Sequence, residues 1–359
     1  MKRPSLLAWA QRRPTPAAAG PQPVALVERL WFGKVPSRGD FVRSDGQRAV
    51  QQRLDDWMTQ AMERWSTDPR WKVLYDAAPP LDIAILGTQG QAGLLLNWQA
   101  SQDASGRRFP FMLCSVLHSP QPATTLEVCG VLMADEWLFL ARMAARATRT
   151  ASQWSLDAAT PDDPVQELAP LLHLDAPQQW RVADALSRQS EFLARHTVAS
   201  LQQMLQAAGH AIDVRQSVLA LGVLLQPVVA QGAQRLGRLL RLPLCRDPAM
   251  RPEVTAFWMA LCSGFLTRGS AELALFLPQG GQEPPELWLG FQGAHAGSLL
   301  AVLDPITHAD QAVRITQADW VEDSVAADWG LRKLSTYLQD PGLPLQQCLE
   351  TFQEVFLGV

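Results

Sequence analysis

The sequence predicts a mixed α/β (α+β) fold: a three-layer αβα sandwich-like module with a mainly antiparallel sheet, in the order β-α-β-β-β-α, followed by a helical middle region. Three observations predict it. Val50, Leu54, Trp57, Met58, Ala61, Met62 and Trp65 recur on one face at helical period. Three short apolar runs, Leu81–Leu86, Gly93–Trp98 and Phe109–Leu117, are separated by Gly/Gln-rich and Asp/Ser/Gly-rich turns, the pattern of an antiparallel meander. Residues 150–235 are rich in Ala, Gln and Leu with few β-branched runs, which predicts three or four helices.

Taken in order, residues 1–23 read as a disordered leader, because positions 11–23 are dominated by Pro, Ala and Gly. Val24–Val35 reads as a strand or hairpin arm. Ser44-Asp45-Gly46-Gln47 fits an S-x-x-Q capping box at the start of the amphipathic helix. The three strands follow, and a helix at about 125–148 closes an N-terminal α/β domain, residues 24–150. The helical region spans 151–235. In the C-terminal α/β domain, 236–359, Leu239–Leu244 reads as a strand and Pro252 marks a helix start. Three further strand-like segments, Glu272–Leu277, Leu287–Phe291 and Leu299–Leu303, precede helices near 317–336 and 344–356. The β-α-β-β-β-α order can thus be traced twice, which raises a structural duplication as an alternative to generic α+β packing.

Composition narrows the function. Hydrophobic residues make up 47% and charged residues 18% of the 359, which is globular composition. A formal net charge of −4 argues against a generic nucleic-acid binder. The charge is uneven: residues 1–50 hold nine Lys/Arg against three Asp/Glu. The five cysteines have no C-x-x-C spacing and an odd total, so neither a disulfide framework nor a zinc site is expected. The apolar run Ser5–Ala10 ends at Gln11-Arg12-Arg13, too short for a signal-peptide core. Leu126–Ala145 carries Asp135, Glu136 and Arg142, and Val218–Ala230 contains Gln226 and Pro227; neither offers the about 20 apolar residues of a membrane span. A cytoplasmic protein without membrane insertion is expected.

The usual catalytic signatures are missing: no G-x-x-x-x-G-K-[ST], H-E-x-x-H, G-x-S-x-G or EF-hand loop occurs. Gly87, Gly90 and Gly93 join two strands rather than a strand and a helix, so a hairpin turn is expected, not a phosphate site. The six histidines are scattered, and neither a metal nor a cofactor is expected. Arg235, Arg238, Arg241 and Arg246 form a basic run, read as a solvated face whose stems cover apolar surface, with an anionic or phosphorylated partner as the alternative.

Two polar loops draw the most attention. Gly33, Pro36 and Gly39 constrain the first, whose charged residues Lys34, Arg38, Asp40 and Arg43 either pin the loop or face a partner. The second holds Asp103, Gly106 and Arg107 and ends on Phe109-Pro110. Strand pairing could join the loops through an Arg107–Asp40 or an Arg38–Asp103 pair. Two aspartates could also act as acid and base in a hydrolase, with Asp40 and Asp103 in a cleft between the domains, although neighbouring guanidinium groups would hold both ionised.

These loops carry a family resemblance. Trp31-Phe-Gly-Lys-Val-Pro-Ser-Arg-Gly-Asp40-Phe-Val-Arg43 resembles the G-K-x-P-x-R-G-D-F motif of the TagF (ImpM) family, accessory proteins of the bacterial type VI secretion system. Leu54-Asp55-Asp56-Trp57 resembles that family's aspartate/tryptophan helix. Asp103-Ala-Ser-Gly106-Arg107-Arg108-Phe109-Pro110 matches its D-x-x-G-R-x-F-P element. The strong match covers about residues 27–150. Leu240–Leu277 and the strand around Trp288 resemble the later part of longer members.

The resemblance implies a non-enzymatic, post-translational repressor that binds the forkhead-associated scaffold protein of the secretion system. That pathway includes a threonine kinase and an opposing phosphatase, to which some members are fused; the chain is expected to carry no such fusion. An adaptor for an effector or a baseplate component is the alternative.

Overall fold

The structure, a computed structural model, describes residues 5–7, 20–150, 164–233, 236–266 and 269–358. Among them, β1 (Val24–Gly33), β2 (Val42–Arg43), α1 (Arg48–Trp65) and α2 (Trp71–Asp76) come first. The meander β3 (Leu81–Gly87), β4 (Ala92–Gln99) and β5 (Phe111–His118) follows, then α3 (Pro122–Leu132) and α4 (Ala134–Ala147). The middle holds α5 (Pro164–Leu172), β6 (Gln178–Trp180), α6 (Val182–Arg195), α7 (Val198–Ala207) and α8 (Val214–Gln231). The C-terminal part runs through β7 (Leu239–Pro243), α9 (Arg251–Leu266), β8 (Glu272–Pro278), β9 (Glu286–Gly290), α10 (Ala296–Leu303) and β10 (Ala312–Arg314). It ends in α11 (Val321–Ala327), α12 (Trp329–Leu338) and α13 (Leu345–Leu357).

The ten strands among the described residues join one open sheet in the order β10-β7-β9-β8-β3-β4-β5-β1-β2, with β6 also paired to β1. N- and C-terminal strands meet at β3 and β8, antiparallel from Leu81↔Pro278 to Gly87↔Glu272. The period-2 alternation of side chains sorts the core into two layers. Ile83, Ile85, Leu94, Leu96, Trp98 and Phe276 face α1 and α10. Ala84, Leu86, Leu95, Leu113, Leu275 and Leu289 face the larger helical layer, which includes α3, α4, α6, α8, α9 and α13. The α+β class and the helix–sheet–helix layering of the sequence reading stand.

Several expectations are corrected. A duplication would give both halves one topology. Successive antiparallel pairs place β1 antiparallel to β3, whereas β7 and β8 run parallel on either side of β9. The connecting helices α1 and α9 also pack on opposite faces. Leu299–Leu303 lies in helix α10, not in a strand; it is buried on all sides, so its apolar run carries no period to tell the two apart. The helix expected at 125–148 is two helices that break at Met133.

The capping box does not form. Gln47 starts α1 in the left-handed region, φ 36°, without a side-chain cap. Ser44 Oγ accepts instead from Trp31 N–H at 3.2 Å and Gln51 Nε2 at 3.1 Å. Gly87–Gly93 forms the β3–β4 turn, as expected. Most of residues 1–23 lies outside the described residues, but Ser5–Leu7 are packed, with Leu6 and Leu7 buried beside α1 and α10.

One described helix, Val214–Gln231, is long and apolar enough to cross a membrane by length and composition. It contains Pro227 and buries Val214, Val218, Leu221 and Leu225 in the core.

Candidate functional site

The two polar loops form one clasp at the end of β1 and the start of β5. β1 and β5 pair antiparallel from Ala25↔His118 to Gly33↔Phe111, with a register shift between Leu26 and Glu28, so the chain after Gly33 leaves beside the chain that enters at Phe109-Pro110. Gly33 has φ +139°, and a Cβ there would lie 2.0 Å from the Pro110 carbonyl oxygen. Only glycine permits that approach. Gly33→Ala is expected to leave little soluble protein, read as the soluble fraction on expression and the melting temperature of what is recovered.

Asp103 is the centre of the clasp. Its side chain has no exposed surface, and that of Lys34 is 8% exposed. Lys34 Nζ and Arg107 Nε donate to Oδ2 at 2.8 and 2.7 Å. The backbone N–H groups of Ser105 and Arg107 donate to Oδ1 at 2.9 and 3.0 Å. Burial works against a charge at Asp103, but the Lys34 ammonium, the two backbone donors and the Arg107 guanidinium override it. They hold the carboxyl well below the usual carboxylate range.

The same residues tie the second loop to the first. Arg107 donates to the Gly39 carbonyl at 2.6 Å, and Ala104 N–H donates to the Arg38 carbonyl at 2.8 Å. Gly106, at φ +77°, closes the turn with its N–H on the Asp103 carbonyl. Neither side-chain pair expected from the sequence is the link. Asp103 takes Lys34 and Arg107 rather than Arg38, and Arg107 joins Asp103 and a main-chain carbonyl rather than Asp40.

Apolar contacts complete the clasp. Phe32, Phe41 and Phe109 form an aromatic triad with centroids 4.9–5.9 Å apart. Lys34 Nζ lies 4.9 Å from the Phe41 ring centre. Phe41 nevertheless stays 43% exposed. Pro36 sits in a turn closed by Arg38 N–H on the Val35 carbonyl. Arg38, Gly39, Asp40 and Arg43 are exposed, and the Asp40 carboxylate accepts from Phe41 N–H at 2.8 Å.

Sequence reasoning missed two supports. Arg108 makes a bidentate pair with Asp76, at 2.7 and 2.6 Å. Tyr75 Oη donates to the Ser101 carbonyl and accepts from its N–H, both at 2.8 Å. Together they anchor α2 beneath the second loop. Asp76 and Tyr75 lie outside any motif, and no sequence signal marked them.

Two members of the basic run, Arg241 and Arg246, are tied into the fold. Arg235 lies outside the described residues. Arg241 stacks on Trp288, 4.1 Å from its ring centre, and pairs with Glu286. Arg246 donates to the Ala208 carbonyl at 3.1 Å. Among the described residues, no three His, Cys, Asp or Glu side chains converge as a metal site. The five cysteines are all buried thiols.

The fold and clasp define a mixed α/β protein in which two locked loops present exposed arginines and a phenylalanine at one corner of a large open sheet. Residues 30–162, which contain both loops, match the TagF N-terminal domain, described as type VI secretion system-associated. Over this stretch the chain is similar to that domain; the match spans 133 of the 359 residues. Among solved structures, the chain is similar to PA0076 from Pseudomonas aeruginosa PAO1, with 20% identity and a TM-score of 0.33. That similarity covers 42% of this chain and 66% of the other. A comparison with curated proteins gives no match.

Proposed function

We propose that this protein is a non-enzymatic, cytoplasmic regulator that represses type VI secretion after translation by binding the forkhead-associated scaffold of the system. The observation that supports this reading is the clasp. Both family motifs are spent on building one rigid, exposed corner, with Arg107 60% exposed beyond its Asp103 contact and Phe41 beside it. Arginine and aromatic side chains on a pre-formed surface suit a binding hot spot. A repressor of this kind needs only a differential affinity for one state of its scaffold; about 3 kcal/mol changes the ratio of states more than 100-fold.

A hydrolase reading has less support. Acid–base catalysis by two carboxyls needs environments that split their proton affinities. Asp103 is enclosed and held ionised by four donors, while Asp40 is exposed on the other loop.

The test is capture of the scaffold by the tagged full-length protein at about physiological ionic strength. Asp40→Ala is expected to lower capture at least tenfold and to leave the melting temperature within about 2 °C of wild type, as for other exposed surface changes. A well-folded protein that captures no scaffold would overturn the reading, as would capture unaffected by Asp40→Ala, Arg38→Ala and Phe41→Ala together.

A further inference from the structure

Far from the clasp, the segment Ser5–Leu7 is bound as a ligand would be. Glu272, the first residue of β8, accepts from Ser5 Oγ and from Leu6 N–H at 3.2 Å; Leu7 N–H reaches the same carboxylate at 3.5 Å. Leu7 N–H also donates to Ser5 Oγ at 3.1 Å, closing a short turn. Leu6 and Leu7 are 4% and 6% exposed within the apolar layer between the sheet and helices α1 and α10. Room for the carboxylate exists because position 293 is glycine: a Cβ there would lie 2.7 Å from Glu272 Oε1. Burial pushes the Glu272 carboxyl up, and the donors of Ser5, Leu7 and Leu6, with the charge of Arg53, offset it in part.

This is the chemistry of peptide recognition. A carboxylate gathers consecutive main-chain donors, which fixes the direction of an extended or turning segment. Two apolar holes and one hydroxyl contact then select its side chains. None of these contacts requires that the segment be covalently attached. We propose that Glu272 and the apolar surface between α1 and α10 form a peptide-docking site for a Ser-Leu-Leu type segment, filled in cis by Ser5–Leu7. A partner that presents a hydroxyl residue followed by two aliphatic residues is its ligand in trans. The cis segment acts as a competitive latch, since a tethered ligand competes at an effective concentration on the order of mM. The inference is independent of the clasp and of the scaffold it binds.

The test uses the full-length chain with Leu6→Ser and Leu7→Ser, which empties the holes. A fluorescein-labelled peptide of residues 2–10 is titrated in and followed by anisotropy. Saturable binding is expected, at least tenfold tighter than to wild type, whose site is filled. Adding Glu272→Ala to the emptied variant is expected to weaken binding at least tenfold, and a peptide with Ser5→Ala to bind less tightly. If the double variant does not fold, Leu6→Ala alone opens one hole and is expected to bind the peptide at least threefold more tightly than wild type. No binding by a variant with native circular dichroism would overturn the proposal and leave Ser5–Leu7 as a structural strap. Equal binding to wild type and variant would overturn it too, as would a wild-type dimer that exchanges the segment between copies, detected by light scattering.

Discussion

Replacing Asp103 with alanine lowers the melting temperature by about 5–10 °C, the largest effect expected of any side-chain truncation in the two loops. The cause is what the substitution leaves behind. The Lys34 ammonium, 8% exposed, loses the carboxylate that neutralises it, and breaking a buried pair from one side typically costs about 3–5 kcal/mol. Arg107 keeps its contact with the Gly39 carbonyl but loses both its side-chain and its backbone hydrogen bond to Asp103. The double variant Lys34→Met, Asp103→Leu is expected to regain much of the loss, because it removes both charges together. A double-mutant cycle on thermal or urea melts measures the coupling, and additive single effects would contradict a pinning role.

The pH dependence gives an independent check. The carboxyl of Asp103 is held below its unfolded value, so its contribution is fully present above the unfolded pKa of about 3.9. That contribution is lost as pH falls through the lower folded value. Wild type and variant therefore differ by a constant amount between pH 5 and 8 and converge only in strong acid. Asp40→Ala, on the exposed side of the same clasp, is the contrasting case of lost binding with little change in melting.

What was legible in the sequence divides along physical lines. The α1 stripe from Val50 to Trp65 and the β3–β5 meander are local patterns with turn residues between them, and both are present as expected. The clasp residues were legible as a group because glycines and paired charges within a few positions demand a constrained loop. Which charge met which was not, since Lys34 and Asp103 are brought together only by the β1–β5 register. Leu299–Leu303 failed for a related reason: a short run buried on every side has no polar face to reveal its period. Ser44 lost its capping role to a tertiary contact, as Gln51 and the Trp31 N–H already occupy its hydroxyl. Ser5–Leu7 could not be foreseen, because its receptor, Glu272, lies 267 residues away.

Asp82→Asn is expected to stabilise the protein at alkaline pH, the opposite sign from Asp103. Asp82 lies on β3 opposite Asn97, on the sheet face that carries α3, α4 and α9, and is only 6% exposed. Asn97 Nδ2 donates to its Oδ1 at 2.7 Å, Gln99 Nε2 donates to Asn97 Oδ1 at 3.0 Å, and Thr148 Oγ1 donates to Gln99 Oε1 at 3.0 Å. Among the described residues one hydrogen bond reaches the carboxyl, and no cation is in contact with it to balance its charge. Burial therefore pushes the Asp82 carboxyl up to about 7, and the Asn97 hydrogen bond and the more distant Arg251 charge offset it only in part.

The folded state thus holds a proton that the unfolded chain releases near pH 3.9. The stability linked to that proton is fully present below the unfolded value and is lost as pH rises through about 7. Over about three pH units this amounts to something on the order of 4 kcal/mol. Asparagine keeps the acceptor for Asn97 and removes the ionisation. The melting temperature of Asp82→Asn relative to wild type is expected to rise by roughly 5 °C between pH 5 and 8.5, measured by calorimetry at constant ionic strength. Parallel curves for the two proteins would mean that Asp82 is neutralised in the folded state by a cation or by water. The polar ladder from Asp82 to Thr148 would then stabilise the sheet at every pH rather than weaken it as the protein is made alkaline.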